Sequence, residues 1–369
     1  MRIAFKVTTA LIAVLIAYFL LWPTPVEPVA WNAPTDAGYT GDFEPNDRLA
    51  GLEALPLGVA IGPEDIVARE EGGELVLYAS SQQGTIWRIN PKTKEASAFA
   101  ETGGFPLGLA FSADGSLLVA DAYRGLLSVT RDGQVRLLTD SVDGSPIVFA
   151  DDVIEATDGK IYFTDASTRW GAEATGSPLR ASQEDIFEQS RTGRVLSYDP
   201  STQQTAVLAE GLSFANGIAM ASDGEALLVA ETGTYRVHRI ALSSEDRGEL
   251  TPVLTNLPGF PDNISKGPTL PDGTQSYFLG LAGPRVPVLD GLSDSPTLRK
   301  IVSRIPEWAR PPSVPYGLVM QFTEDGTILQ TWQDPKGGYP TTTGAIAPGD
   351  GFLYISSVNA PGIGRVPMR

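Results

Sequence analysis

The chain has no cysteine and a single histidine among its 369 residues. Without cysteine there is no disulfide framework, no thiolate zinc or iron–sulfur site and no cysteine nucleophile. One histidine leaves no histidine pair for a metal or a proton relay unless a second chain supplies the partner. Positive charge is also scarce. Lys and Arg number 27 against 44 Asp and Glu, for a net charge of −17, and no basic run concentrates them. Phosphate contacts need clustered Lys and Arg, so nucleic acid is not an expected partner. What survives is oxygen chemistry, and an excess of carboxylate suits a hard cation such as calcium.

A chain of this length has room for two or three domains, but all-β barrels and propellers of this size form one. The hydrophobic share of 42% is ordinary and supports a large core. With 39 Gly and 29 Pro, short strands joined by frequent turns are expected.

Arg2 and Lys6 precede residues 7–22, which are 16 residues without a charge. A hydrocarbon core takes about 20 apolar residues, with a range of about 17–25. The run sits at the short end, and is also the size of a long signal-peptide core. No small-residue cleavage site follows, since the next residues are Pro23-Thr24-Pro25. Residues 1–22 read as an uncleaved signal anchor, with a cleaved signal as the alternative. The basic flank puts the N-terminus in the cytoplasm and the rest on the periplasmic, lumenal or extracellular side. Residues 23–46 are rich in Pro, Gly and Asp and read as a tether. Residues 47–369 read as the globular body.

That body is repetitive. An Asp-Gly turn, a short apolar strand and a small or acidic residue recur at Asp114-Gly115, Asp158-Gly159, Asp223-Gly224, Asp272-Gly273 and Asp350-Gly351, with a degenerate first copy at Gly72-Gly73. Asp-Gly between apolar runs signals a hairpin. Six copies of about four strands each describe an all-β, six-bladed β-propeller. Successive Asp-Gly spacings of 44, 65, 49 and 78 leave room for insertions near residues 167–191 and 283–316. Each holds a helical pattern. In the second, Ser295 stands at a cap position, Pro296 in the first turn, and Leu298, Ile301, Val302 and Ile305 at helical spacing. Such insertions either cover the mouth of the central channel or decorate the surface.

Counting back seven residues from the Asp-Gly turns picks Leu107, Asp151, Asn216 and Thr343. The same triplet shape, at softer offsets, picks Glu64-Asp65-Ile66 and Asp262-Asn263-Ile264. In a propeller, equivalent positions form a ring about the axis. Glu64, Asp151, Asn216 and Asp262 stand in otherwise apolar segments that hold no Lys or Arg. Buried carboxylates must be paired or metal-bound. Calcium, with six to eight oxygen ligands, fits such a ring better than magnesium, which demands a tighter octahedron. The bland alternative is that Asp and Asn merely cap turns. The second positions, Asp65 and Asp152, either hold another ion deeper in the channel or belong to hydrogen-bonded turns.

The runs Gly193-Arg194-Val195-Leu196-Ser197-Tyr198-Asp199-Pro200, Phe214-Ala215-Asn216-Gly217-Ile218 and Pro261-Asp262-Asn263-Ile264 resemble the strictosidine synthase-like family, most of all its adipocyte plasma membrane-associated branch. The resemblance covers about residues 50–369. It implies kinship with paraoxonase- and gluconolactonase-type propellers that hold calcium on the axis. By that resemblance Glu64 is the first-blade ligand, Asn216 the amide ligand, and Asp262 with Asn263 a carboxylate–amide pair. Asp151 stands where relatives often place Asn, so its charge is a departure that tightens calcium binding. Asp65 and Asp152 resemble the ligands of a second, structural calcium.

Two departures narrow the chemistry. The paraoxonase branch uses a histidine near the position of Leu107, whereas the lone His238 lies in a strand-like run and reads as structural. The true synthases rely on a glutamate before the last Asp-Gly copy, where this chain has Ile346-Ala347-Pro348-Gly349. The expected function is a calcium-dependent hydrolase of esters or lactones, with calcium as Lewis acid and Asp262 as base. No G-x-S-x-G elbow supports a serine nucleophile. The rival class is a non-catalytic, membrane-tethered binding or scaffold propeller that keeps calcium for stability. A sugar-lactone hydrolase is a third reading. Apolar residues of the second insertion, Val286, Val288, Leu289, Leu292 and Trp308, lean toward an apolar substrate or a membrane surface. Asn263-Ile264-Ser265 matches a glycosylation sequon, but a metal ligand at Asn263 makes that match fortuitous.

Overall fold

The Asp-Gly copies do close hairpins. Their glycines have φ between +71° and +90°, a region open to a residue without Cβ. In each turn the aspartate Oδ1 accepts the N–H two residues on, from Ser116, Lys160, Glu225, Thr274 and Phe352, at 2.7–3.1 Å. This is the Asx turn that makes Asp a favoured turn residue. A computed structural model describes residues 2–58, 60–243, 245–310 and 313–368, and only the backbone of Glu307. In it, every such turn joins the first and second strands of a four-stranded antiparallel sheet.

Six of these sheets follow in chain order, over residues 66–101, 106–139, 150–212, 215–254, 259–334 and 342–367. The sixth takes its outer strand from the start of the body. Glu53–Pro56 pairs with Gly362–Pro367, with Glu53 opposite Arg365. Arg365 Nε donates to Glu53 Oε2 at 3.0 Å. This closes the ring of blades and protects an edge that would otherwise be open to pairing. The result is a six-bladed β-propeller.

Strand alternation sends apolar side chains into the seams between blades. Phe163 and Leu196 of the third blade meet Leu118 and Ala120 of the second; Leu228 and Ala230 of the fourth meet Tyr277 and Leu279 of the fifth. The core is therefore divided among the seams, and the axis is left to the first residues of the innermost strands.

Among the described residues there are five α-helices: α1 (Arg2–Leu21), α2 (Ala172–Thr175), α3 (Pro178–Glu188), α4 (Pro287–Gly291) and α5 (Pro296–Val302). Among the described residues, α1 alone is long and apolar enough to cross a membrane, and none of its side chains is buried. In α3, Pro178 opens the first turn and the Ser177 hydroxyl accepts the Arg180 N–H at 3.2 Å, a regular N-cap. At α5 the expected side-chain cap does not form. Ser295 holds the N-cap position but its side chain accepts no backbone N–H; its Oγ donates to Asp294 Oδ1 at 2.9 Å. Helix α5 ends at Val302, and Leu298 faces solvent.

Register fixes where the insertions leave the propeller. Ala150 pairs with Asp165, and Gly259 with Pro284. The second strand of a blade thus ends level with the start of its first. The insertions that follow Asp165 and Pro284 emerge at the end where the innermost strands begin, opposite the Asp-Gly turns.

The stretch read as a tether runs across both insertions. Val26 and Trp31 are buried. Val29 N–H donates to Glu188 O at 2.8 Å, and Trp31 N–H to Ser293 O at 3.0 Å. Arg299 of α5 donates to Val29 O at 3.0 Å, and Arg285 to Pro34 O at 2.9 Å. Further up the chain, the Tyr18 hydroxyl donates to Arg304 O at 2.9 Å, which ties α1 to the second insertion.

Candidate functional site

A repeated irregularity builds the site. In blades two to six, pairing between the first and second strands breaks and resumes three residues later in four blades: between Pro106 and Leu109, Ala150 and Val153, Ala215 and Ile218, and Pro261 and Ile264. The sixth does the same between Thr342 and Ala345. Each break is a bulge of two residues, a device that re-aims side chains. The bulged pairs are Leu107-Gly108, Asp151-Asp152, Asn216-Gly217, Asp262-Asn263 and Thr343-Gly344. In the first blade Glu64-Asp65 takes the same place, directly before Ile66, which opens the pairing with Ala79. All six positions predicted as a column fall into this one structural slot. The offset of ten at Asp262 arises because its strand, Gly259–Thr269, is longer and carries an extra bulge between Lys266 and Thr269.

The first members of the pairs are all buried, none more than 8% exposed. Asn263 Nδ2 donates to Glu64 O at 3.0 Å and to Glu64 Oε1 at 2.9 Å. Thr343 Oγ1 donates to Glu64 O at 2.6 Å and exchanges a hydrogen bond with Ser356 Oγ. These contacts fix Glu64 and turn its other oxygen loose. Glu64 Oε2, Asn216 Oδ1 and Asn263 Oδ1 are buried without any hydrogen-bond partner. Leu107 takes no part; it packs with Phe149, Trp170 and Phe214.

The second members behave differently. Asp65 Oδ1 accepts its neighbour Ile66 N–H at 2.7 Å, and Oδ2 reaches the next blade to accept Leu109 N–H at 2.8 Å. Asp152 repeats this with Val153 and, across the seam, Ile218, both at 2.7 Å. Each of these carboxylates staples one blade to the next. A Cβ on Gly108 would lie 2.4 Å from Asp152 Oδ1, so the pair must alternate acid with glycine where the staple passes.

The five carboxylates strain against one another. Burial, then repulsion from Asp262 and Asp151, pushes Glu64 well above the usual range. Burial and Asp262 do the same to Asp151, and burial and Asp65 to Asp152. Burial pushes Asp65 up to about 7, against the pull of the Leu109 and Ile66 amides. Burial pushes Asp262 up to about 8, although a hydrogen bond from Asn216 pulls the other way. Their strongest electrostatic neighbours are one another.

The acids that close each repeat have a role that the sequence did not reveal. Asp121 accepts Phe105 N–H at 2.9 Å, Asp165 accepts Phe149 N–H at 3.1 Å, and Glu231 accepts Ser213 N–H at 2.9 Å. They hold the approach to Leu107, Asp151 and Asn216. The signal was present as the recurring acid after each apolar strand. His238 is buried and pairs with Glu231 at 2.8 Å, away from the ring.

Among the described residues, no three Asp, Glu, His or Cys side chains gather closely enough to form a metal cluster by themselves; two of the three unpartnered oxygens belong to amides. Two surface cavities, of about 660 and 550 Å³, border the Asp-Gly end, where they are lined by Gly115 and Gly73 respectively. Neither is at the ring.

Comparison with known proteins places this arrangement. The strictosidine synthase family matches residues 151–245, and its strictosidine synthase-like N-terminal module matches residues 41–89. The adipocyte plasma membrane-associated protein of Salmo salar is 32% identical over 376 residues, covering 95% of this chain and 86% of that one. A gluconolactonase from Xanthomonas campestris superposes with a TM-score of 0.61 at 17% identity, covering 94% of this chain and 99% of that one. A calcium-binding regucalcin from Agrobacterium tumefaciens does so with a TM-score of 0.56 at 13% identity, covering 86% and 93%. At these identities the two structures support the fold alone.

Proposed function

Given that the chain belongs to the strictosidine synthase-like family, in its adipocyte plasma membrane-associated branch, we propose that it is a membrane-anchored, calcium-dependent hydrolase of carboxylic esters or lactones. The observation that carries this reading is the set of unpartnered buried oxygens, Glu64 Oε2, Asn216 Oδ1 and Asn263 Oδ1, beside the crowded carboxylates Asp151 and Asp262. A buried oxygen without a donor costs roughly 1–3 kcal/mol. Three of them on one axis, with repelling acids, are a donor set that a hard cation satisfies. The residues present therefore fit calcium, held by Glu64, Asp151, Asn216, Asp262 and Asn263. Asp65 and Asp152 already have donors for both oxygens, so a second ion would share them with backbone amides.

Calcium in this ring would supply Lewis-acid polarisation of a substrate carbonyl and of the developing oxyanion. The chain's own residues do the rest. Asp262 takes a proton from water at its carboxylate as the water oxygen bonds to the carbonyl carbon, and returns that proton to the leaving alkoxide oxygen as the C–O bond breaks. Asn216 holds that carboxylate in place by its hydrogen bond. Thr343 and Asn263 fix the backbone of Glu64. Asp262→Asn should lower hydrolysis of phenyl acetate and simple lactones at least 100-fold while circular dichroism stays that of the wild type. Full activity in this variant would remove the assigned role.

Helix α1 is the anchor in this reading, with the propeller on the periplasmic, lumenal or extracellular side. One observation favours the rival reading of a non-catalytic calcium-stabilised propeller: the two surface cavities lie at the Asp-Gly end and not over the ring. An esterase assay with and without EGTA separates the two.

A further inference from the structure

The distribution of exposed apolar side chains is one-sided. Outside α1, twelve large hydrophobic side chains are exposed among the described residues. Six of them stand on the two insertions: Leu179, Val286, Val288, Leu298, Trp308 and Val314. Trp308 is 87% exposed and Val314 is 66% exposed. Three others lie on the outermost strands of blades, and none lies on an Asp-Gly turn. Scattered exposed apolar residues are ordinary, but a group confined to one end of a molecule marks an interaction surface.

Charge follows the same pattern. Residues 283–316 hold five basic side chains and three acidic ones in a chain whose net charge is −17; Arg285 and Arg299 are buried, which leaves Lys300, Arg304 and Arg310 at the surface. An apolar-tipped projection with these cations at its surface, on an otherwise acidic body, suits a lipid surface. Tryptophan prefers that interface.

The anchor emerges at this same place. Arg304 of the second insertion donates Nε to Trp22 O at 2.6 Å and receives the Tyr18 hydroxyl at its carbonyl. Thr24 and Ser303 hydroxyls meet at 3.2 Å. The last turn of α1 is therefore held against the insertion that carries Val286, Val288, Trp308 and Val314. Both insertions leave the propeller at the end that carries the ring.

We propose that the ring end of the propeller lies against the lipid surface, with the two insertions seated in the headgroup layer and the Asp-Gly turns pointing away from it. This rests on the reading of α1 as a membrane anchor. It sharpens the substrate class: an ester or lactone that reaches the ring from the bilayer must itself partition into lipid, unlike a sugar lactone.

The absence of cysteine makes the test clean. Single cysteines are introduced in the full chain at Val288, Trp308, Glu225 and Leu15, and labelled with an environment-sensitive fluorophore. Glu225 is exposed beside an Asp-Gly turn, and Leu15 lies in α1. The proteins are placed in nanodiscs of phosphatidylcholine and phosphatidylserine, with and without nitroxide-bearing lipid. The expected result is strong quenching at Leu15→Cys, at least threefold quenching at Val288→Cys and Trp308→Cys, and none at Glu225→Cys. Quenching at Leu15→Cys with Val288→Cys and Trp308→Cys no different from Glu225→Cys would overturn the orientation while leaving the anchor. No quenching at Leu15→Cys would overturn the anchor reading, and the orientation with it.

Discussion

Asp151 and Asp152 are adjacent acids with opposite employment. Asp151 sits in a repelling ring and gains from a cation; Asp152 accepts Val153 and Ile218 N–H groups and joins two blades. The sequence treated both as candidate ligands, because composition cannot tell which way a bulged side chain turns. The structure separates them by their donors. Asp152→Ala leaves the Ile218 N–H buried without a partner, which costs about 1–3 kcal/mol. Chemical denaturation should detect that loss equally in calcium and in EGTA. A loss confined to calcium would make Asp152 a ligand first and a staple second.

Among elements, the Asp-Gly hairpins were the most legible feature, because an Asx turn and a left-handed glycine are local demands that local residues must meet. The column was legible for a related reason: polar residues in apolar strands need a partner wherever they sit. The bulges were not legible. Counting back from a turn assumes equal strands, and the strand Gly259–Thr269 breaks that assumption. The Ser295 side-chain cap was not borne out either: Ser295 stands at the N-cap position, but its hydroxyl turns to Asp294 and accepts no backbone N–H. The course of residues 23–46 was hidden too, since Pro-rich composition does not show that Val26 and Trp31 bury their side chains far along the chain. The closing strand, Glu53–Pro56, gives a direct test of this level. Leu55 is fully buried there, and Leu55→Ala should destabilise by about 2–5 kcal/mol. Urea unfolding reads it out. A change below about 0.5 kcal/mol would mean that the closing strand contributes little to stability.

At the scale of the molecule, one arrangement accounts for the unusual composition. The seams between blades take the apolar side chains and the axis takes the acids. The insertions gather exposed apolar and basic groups at the end where α1 departs. A chain with one histidine and no cysteine thus retains a chemistry, provided that the axis holds a cation. Thermal unfolding of the full chain in EGTA, and then in calcium at 100 times its Kd, tests for that cation most directly. Binding to the native state alone adds about 2.7 kcal/mol at that concentration. Adding calcium should raise Tm by a few degrees, and Glu64→Gln should abolish that rise. Identical melting in EGTA and calcium would contradict a calcium ion on the axis.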